Sequence, residues 1–270
     1  GLDTLVHVAN GIYENCPTDE QHELFKLPDF VNKMMENKWL GSKTGQGFYK
    51  KEGKDILSLD LDTLEYRPNK KASFATLELT KTIDKPIDRF KVLVKGKDKA
   101  GEFYRAFHAM LFSYISHRIP EISDEIFRVD DAMMAGFGWE IGAFETWDVL
   151  GVAKTVQAMK AAGYQVASWV DDMLASGATS FYKIEAGKRL YYDVPTKTYK
   201  VLPGGDAFIV LSNNADKLVW KNSACKMYDI GNGVAGLEWS TKMNSIGGEV
   251  LEGINKSITL SEEKFKGLVI

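Results

Sequence analysis

The chain has 270 residues, 44% hydrophobic and 26% charged, with seven prolines and a formal net charge of −3. That is an ordinary globular composition, without an apolar run near the roughly 18 residues of a membrane span. Its mild acidity offers nucleic acid no basic field, and Cys16 and Cys225 stand too far apart in unrelated contexts to indicate a disulfide framework or a cysteine zinc site, which fits a reducing cytoplasm.

Helical periodicity starts at once. Leu2, Leu5, Val6, Ala9 and Ile12 share one stripe, which predicts a helix over 1–14 with no basic, cleavable leader, so the chain is expected to begin inside a domain. Further helices are predicted near 28–37, 86–96, 98–118, 121–135, 139–148, 151–162 and 165–176. Between them, 55–67 and 188–202 read as hairpins, with turn chemistry at Asp60-Leu61-Asp62 and Asp193-Val194-Pro195-Thr196. After Pro203 the texture changes. Strands are predicted at 207–211, 218–220, 224–230 and 234–239, with Gly231-Asn232-Gly233 as a turn, then a helix over 247–258 and a last strand opening in Phe265 to Ile270.

The two hairpins repeat each other. A shift of 133 superposes Phe48, Tyr49, Lys50, Glu52, Leu57, Asp60, Thr63 and Tyr66 on Phe181, Tyr182, Lys183, Glu185, Leu190, Asp193, Thr196 and Tyr199. Upstream, Gly1 and its helix parallel Gly151 and its helix at an offset of 150, so the second copy is expected to lack about 17 residues of the loop from Glu14 to Phe30. Helices from about 86 to 150 precede Gly151, whereas the first copy starts at its equivalent glycine and is expected to be incomplete.

Few residues propose chemistry. Gly41-Ser42-Lys43-Thr44-Gly45-Gln46-Gly47 has the glycines and Lys-Thr pair of a phosphate loop, but its lysine does not directly follow the last glycine and no helix follows, so a structural turn is expected. His7, His22, His108 and His117 lack metal spacing, the last two lying about 180° apart on one helix. Glu145 and Asp148 share a helix face; paired acid-base carboxylates are one reading, hydrogen bonding to neighbouring loops the other. Phe137, Trp139, Phe144 and Trp147 read as core, and Lys95, Lys97 and Lys99 as a solvated helix end.

Asp130-Asp131-Ala132-Met133-Met134-Ala135-Gly136-Phe137-Gly138-Trp139, followed by Gly142-Ala143-Phe144-Glu145-Thr146-Trp147-Asp148-Val149-Leu150-Gly151, resembles the helical C-terminal domain of 3-hydroxyacyl-CoA dehydrogenases. There an Asp precedes Ala-Met, then come Gly-x-Gly-aromatic, Gly-Pro-Phe-Glu, Asp and Gly. Gly1-Leu2-Asp3-Thr4 with Lys43-Thr44-Gly45-Gln46-Gly47-Phe48-Tyr49 is similar to the later half of the same domain. The stretch Val234 to Ser240, with Met243-Asn244-Ser245-Ile246 and the helix containing Val250, resembles the opening of a crotonase-type enoyl-CoA hydratase.

The resemblance implies a mainly α fold: tandem helical domains like the C-terminal domain of 6-phosphogluconate dehydrogenase, with small β-hairpins, followed by the β/α start of a crotonase-like domain. The implied boundaries are 1–70 for the latter part of a first copy, 71–203 for a second copy, and 204–270 for an incomplete hydratase opening. It implies a parent enzyme of fatty acid β-oxidation that uses NAD and acyl-CoA substrates, with the NAD loop and the catalytic His-Glu pair in a Rossmann domain outside these residues. No catalytic, cofactor-binding or metal residue is therefore expected here; Lys242 and Asn244 fall where the hydratase family contacts CoA. In active copies an Asn-Arg pair lies near substrate early in the long helix, and Tyr104-Arg105 stands at that place, so the second copy is expected to be structural. The family's thioester oxyanion hole lies beyond the strand beginning at Leu268. Self-association through the helical domains is expected, and a non-enzymatic helical module that binds acyl-CoA or organises partners is the alternative.

Overall fold

In a computed structural model, residues 1–205 and 207–270 are described, and the chain divides into two units, Gly1–Leu79 and Thr80–Ile270. Mainly helical with small sheets, they follow the predicted class.

The first unit contains α1 (Leu2–Asn15), α2 (Asp29–Glu36), a three-stranded antiparallel meander of β1 (Tyr49–Glu52), β2 (Asp55–Leu59) and β3 (Tyr66–Pro68), and most of α3 (Ala75–Thr80). Leu2, Val31, Met34 and Leu59 form its buried core, with Val6, Phe30, Trp39 and Tyr66 packed around them. The α1 stripe is buried at Leu2 and Ala9, but Leu5, assigned to the same stripe, is 54% exposed.

The second unit opens with α4 (Pro86–Leu93), α5 (Lys99–Glu121), α6 (Ile126–Phe137), α7 (Ala143–Leu150), α8 (Val152–Ala161) and α9 (Ser168–Ala175). A second meander follows: β4 (Tyr182–Glu185), β5 (Lys188–Asp193) and β6 (Thr198–Val201). Its core is aromatic. Phe112 stacks on Trp147 at 4.7 Å, and Phe144, Trp147 and Phe181 meet with centroids 5.0–6.4 Å apart, all fully buried. Of the four aromatics read as core, Phe137 is 71% exposed, because it closes α6 just before Gly138 turns the chain at φ 67°.

The unit ends in β7 (Leu218–Lys221), β8 (Cys225–Gly231), β9 (Val234–Trp239), α10 (Gly248–Lys264) and β10 (Gly267–Val269), in the sheet order β10-β9-β8-β7. β10 runs parallel to β9, the others antiparallel. α10 covers the sheet through Val250 onto Cys225, Met227, Ala235 and Leu237. Gly253 permits the approach: a Cβ there would stand 2.5 Å from the Cys225 sulfur.

Some predicted elements moved. Each hairpin is the second and third strand of a meander whose first strand, 49–52 or 182–185, was not foreseen. α7 begins at Ala143 rather than near 139, because Glu145 folds back to accept the Gly142 amide at 2.9 Å and sets the helix start there. Residues 207–211 form no strand; Phe208 and Ile209 are exposed, and Leu211–Asn213 is a 3-10 turn. Its β-type residues enter no ladder, and pairing rather than propensity makes a strand.

The repeat is structural as well as sequential. Tyr66 donates its hydroxyl to the Gly47 carbonyl (2.6 Å) and Tyr199 to that of Ser180 (2.5 Å). Leu59 N bonds Phe48 O, and Tyr192 N bonds Phe181 O. Lys50 and Lys183 stand over the rings of Tyr66 and Tyr199, while Arg67 and Lys200 pair with Asp60 and Asp193. All these correspond at 133. Val31 and Met34 of α2, however, match Val170 and Met173 of α9 at an offset of 139, and both helices end in the same Schellman bonds, Trp39 N to Met34 O and Ala178 N to Met173 O, around the positive-φ residues Lys38 and Gly177. The 17-residue difference expected in one loop is thus split. Eleven residues fall between the first two helices of the repeat, and six fall between the second helix and the sheet, where Leu40 to Gln46 lie.

Asp193 is the more deeply set of the two turn aspartates, its side chain 5% exposed against 23% for Asp60. It accepts the Thr196 amide at 3.1 Å and the Thr196 hydroxyl, and it pairs with Lys200 at 2.8 Å. Against a burial that would raise it, Lys200 and Thr196 hold its carboxyl below the ordinary range. Asp193→Ala is expected to cost about 1–3 kcal/mol in urea denaturation, the range for leaving buried donors unmatched, and Asp60→Ala less than Asp193→Ala.

Candidate functional site

Three places could have carried chemistry, and geometry separates them. The first is the carboxylate group around α7. Asp148 accepts the amides of Phe181 at 2.7 Å and Tyr182 at 2.8 Å, one with each oxygen. Asp130, on α6, accepts the amides of Phe144 (2.8 Å) and Glu145 (3.1 Å) at the first turn of α7, and the Tyr182 hydroxyl at 3.0 Å. Glu145 pairs with Arg189, whose guanidinium lies 4.4 Å from the Tyr182 ring. Asp130 also touches Gly142 so closely that a Cβ there would stand 2.2 Å from its carboxyl carbon.

Burial pushes Asp130 up to about 6 and Asp148 up to about 7, against the pull of the amides they accept. Burial, followed by the Asp130 charge, raises the Tyr182 phenol well above its ordinary value. A carboxyl near neutrality is what a general acid needs, but a catalytic carboxyl also needs a lone pair facing substrate. Here each oxygen of Asp148 is given to a backbone N–H, so Glu145 and Asp148 fasten loops and strand to helix.

The second place is the glycine-rich stretch 41–47. Ser42–Thr44 forms a single 3-10 turn, and β1 follows instead of a helix. Thr44 Oγ1 accepts the Leu40 amide at 3.0 Å and lies within reach of the carbonyls of Gly41 and Gln46, while Lys43 is bound to Asp3 in the first turn of α1. The amides do not converge on an anion, and the lysine is already paired. No strand among the described residues leads into a helix through Gly-x-Gly-x-x-Gly, so these residues do not fit the pyrophosphate of NAD.

The third place is the turn from β9 into α10. Lys242–Asn244 is a 3-10 turn whose residues are all exposed, Met243 and Asn244 having φ of 57° and 51°. Thr241 donates to the Ser245 carbonyl at 2.7 Å, Ser245 to that of Lys242 at 3.0 Å, and the Trp239 indole to that of Asn244 at 3.4 Å. The turn holds the Lys242 ammonium and the Asn244 amide in solvent just ahead of the α10 N-terminus. Of the two residues read as CoA contacts, both stand on this one turn.

Arg105, His108 and His117 are bonded to backbone carbonyls. Arg105 donates to the carbonyls of Val94 (3.0 Å) and Gly96, closing α4. His108 is buried among Phe90, Tyr104, Phe107 and Phe112, with Nδ1 2.6 Å from the Tyr104 carbonyl; burial lowers its pKa. His117 Nδ1 lies 2.9 Å from the Ser113 carbonyl. Among the described residues no three His, Cys, Asp or Glu side chains converge as a metal set, and no helix is long and apolar enough to cross a membrane.

Because Asp130 and Asp148 bind protons more tightly folded than unfolded, their linkage makes stability fall as pH rises from the unfolded value of 3.8 toward about 7. Asp148→Asn should flatten that decline. It should also cost about 1–3 kcal/mol at pH 5, since an amide nitrogen then faces a backbone donor. Urea midpoints of the two proteins between pH 5 and 8 test both; parallel pH profiles would remove Asp148 from the linkage.

Over an alignment of 272 residues that takes in the whole chain, the protein is 37% identical to a Bacillus subtilis (strain 168) protein named "Probable 3-hydroxyacyl-CoA dehydrogenase". It is 23% identical over 150 residues, 54% of the chain, to proteins of Rickettsia prowazekii (strain Madrid E) and Rickettsia felis (strain ATCC VR-1525 / URRWXCal2), each named "Putative fatty acid oxidation complex trifunctional enzyme". The matches span 34% of the Bacillus protein and 19% of each Rickettsia protein. No family model matches the chain, and no solved structure matches it significantly. Matched from end to end, the chain is a homologue of one third of a 3-hydroxyacyl-CoA dehydrogenase-type protein, the family its motifs resemble.

Proposed function

We propose that these residues form the non-catalytic inner part of an NAD-dependent 3-hydroxyacyl-CoA dehydrogenase of fatty acid β-oxidation, fused to an enoyl-CoA hydratase and working in the cytoplasm. The observation that carries the reading is the 37% identity along the whole chain. It is favoured over a non-enzymatic helical module because the relatives are named for β-oxidation chemistry.

In this reading residues 1–70 and 71–203 are two copies of the 6-phosphogluconate-dehydrogenase-like helical domain, and the matched meanders support the duplication. Residues 204–270 are the hydratase opening, supported by the antiparallel β8–β9 pair followed by the parallel β9–α10–β10 crossover. The second copy packs rather than reacts: its carboxylates are spent on backbone amides and its Arg105 on carbonyls. Lys242 and Asn244 serve acyl-CoA, an exposed ammonium ahead of a helix N-terminus being suited to a CoA phosphate. NAD is held outside these residues, and self-association runs through the helical domains.

The test is NADH oxidation with acetoacetyl-CoA, by this chain and by a longer protein of the Bacillus type. Silence in the chain beside turnover in the longer protein is expected; turnover by the chain alone would overturn the reading. In the longer protein, Lys242→Ala should raise the KM for the CoA substrate of the hydratase about twofold to fivefold, as loss of one solvent-exposed charge contact does, with kcat little changed. An unchanged KM would remove Lys242 from the site.

A further inference from the structure

The turn from β9 into α10 is fixed at both ends by the sheet it leaves. On the strand side, just beyond the β8–β9 ladder, Ser240 N donates to the Ala224 carbonyl at 3.0 Å. On the helix side, Asn222 donates through Nδ2 to the Glu249 carbonyl at 2.9 Å, while its Oδ1 accepts the Ala224 and Cys225 amides at 2.9 and 2.7 Å. Val250 is then buried on the sheet. Between these anchors, residues 242–249 are all exposed.

The backbone of that exposed stretch is not at rest. Met243 and Asn244 both take left-handed φ, 57° and 51°, which asparagine tolerates and methionine seldom visits. The Met243 side chain is 91% exposed, so its burial does not hold the conformation. Thr241 does. Its carbonyl accepts the Asn244 amide at 3.0 Å and its hydroxyl donates to the Ser245 carbonyl at 2.7 Å, which bridges the left-handed pair from one side to the other. Ser245 answers with its amide at 3.3 Å and its hydroxyl at 3.0 Å, both to the Lys242 carbonyl.

We propose that Thr241 is a positioning residue for acyl-CoA: its hydroxyl keeps the left-handed turn closed and so fixes how Lys242 and Asn244 are presented to the phosphates of the CoA nucleotide. This rests on the reading of those two residues as CoA contacts. A turn free to relax at Met243 would spread both side chains over several orientations, and the ordering needed on binding would weaken the complex. The nucleotide end of CoA is bound alike in the ground state and the transition state, so the loss falls on KM and not on kcat.

The test uses a longer protein that contains this chain, assayed for hydration of crotonyl-CoA and of crotonyl pantetheine, a thioester without the CoA nucleotide. Thr241→Val keeps the shape of the side chain and removes its hydroxyl. It is expected to raise the KM for crotonyl-CoA about twofold to fivefold with kcat little changed, as loss of one exposed hydrogen bond does. Thr241→Ser should restore the KM, and crotonyl pantetheine should not distinguish the variants. Where Lys242→Ala and Asn244→Ala are already present, Thr241→Val should add nothing, because the hydroxyl acts through those two side chains. An unchanged KM in Thr241→Val where Lys242→Ala raises it, no recovery in Thr241→Ser, an equal loss with crotonyl pantetheine, or a further loss in the triple variant would overturn the proposal. An unchanged KM in both Lys242→Ala and Asn244→Ala would instead overturn the reading beneath it, and the proposal with it.

Discussion

The carboxylate of Asp148 accepts two backbone amides at the entrance to β4, and the junction of α7 with the meander of the second unit is organised by that pair of bonds. A strand entering a sheet leaves its first amides without ladder partners, and in a core they must be matched by something other than water. An aspartate near the end of α7 supplies both acceptors at once, and so fixes where the meander meets the helices. Trp147, one residue earlier, is thereby held between Phe112 and Phe181, and Asp130 repeats the device one step back by accepting the first amides of α7 itself. Helix is thus tied to helix and helix to strand by two buried acids, both held near neutrality by the burial that makes them useful.

The same packing accounts for the other acid-base residues that lie in reach of each other around α7. Tyr182 donates to Asp130, Arg189 pairs with Glu145, and the Asp148 oxygens are occupied. Each of these groups is committed to a neighbour within the fold. The small turn at Lys242 and Asn244 faces solvent, on a different core and in a different architectural style.

The sequence made the helices and the duplication legible, because both are written in side chains: Leu2 and Ala9, or Val152, Val156 and Met159, at helical spacing, and eight coincident residues in the two meanders. It was less open about elements held by backbone. β1 and β4 lack alternation, their residues being Tyr, Lys and Glu with one Ile, and what makes them strands is a neighbour and, for β4, the acceptor on α7. Residues 207–211 had the composition of a strand and enter no ladder. The six extra residues of the first copy were not separated from the eleven by counting; the burial of Val31 and Met34 and the matching helix ends at Lys38 and Gly177 reveal the intermediate register. At the candidate site, Lys242 and Asn244 could be proposed from family position; asparagine is a residue type that tolerates the left-handed backbone seen at Asn244, but the same conformation at Met243 had no signal in its residue type.

The parallel pairing of β10 with β9 has a consequence for the order in which the chain acquires its structure. Both meanders close through turns of a few residues, so their ladders need little loop entropy to form. β10 reaches β9 only after α10 has been laid across the sheet, a closure spanning Ser240 to Lys266 that yields the three-residue register Gly267–Val234, Leu268–Ala235 and Val269–Gly236. Loop closure must be met before such a ladder repays it, and slow, non-local pairing is the result. During synthesis the helices and meanders can therefore be packed while β9 still lacks its parallel neighbour, and β10 joins this sheet after β7, β8 and β9 have paired.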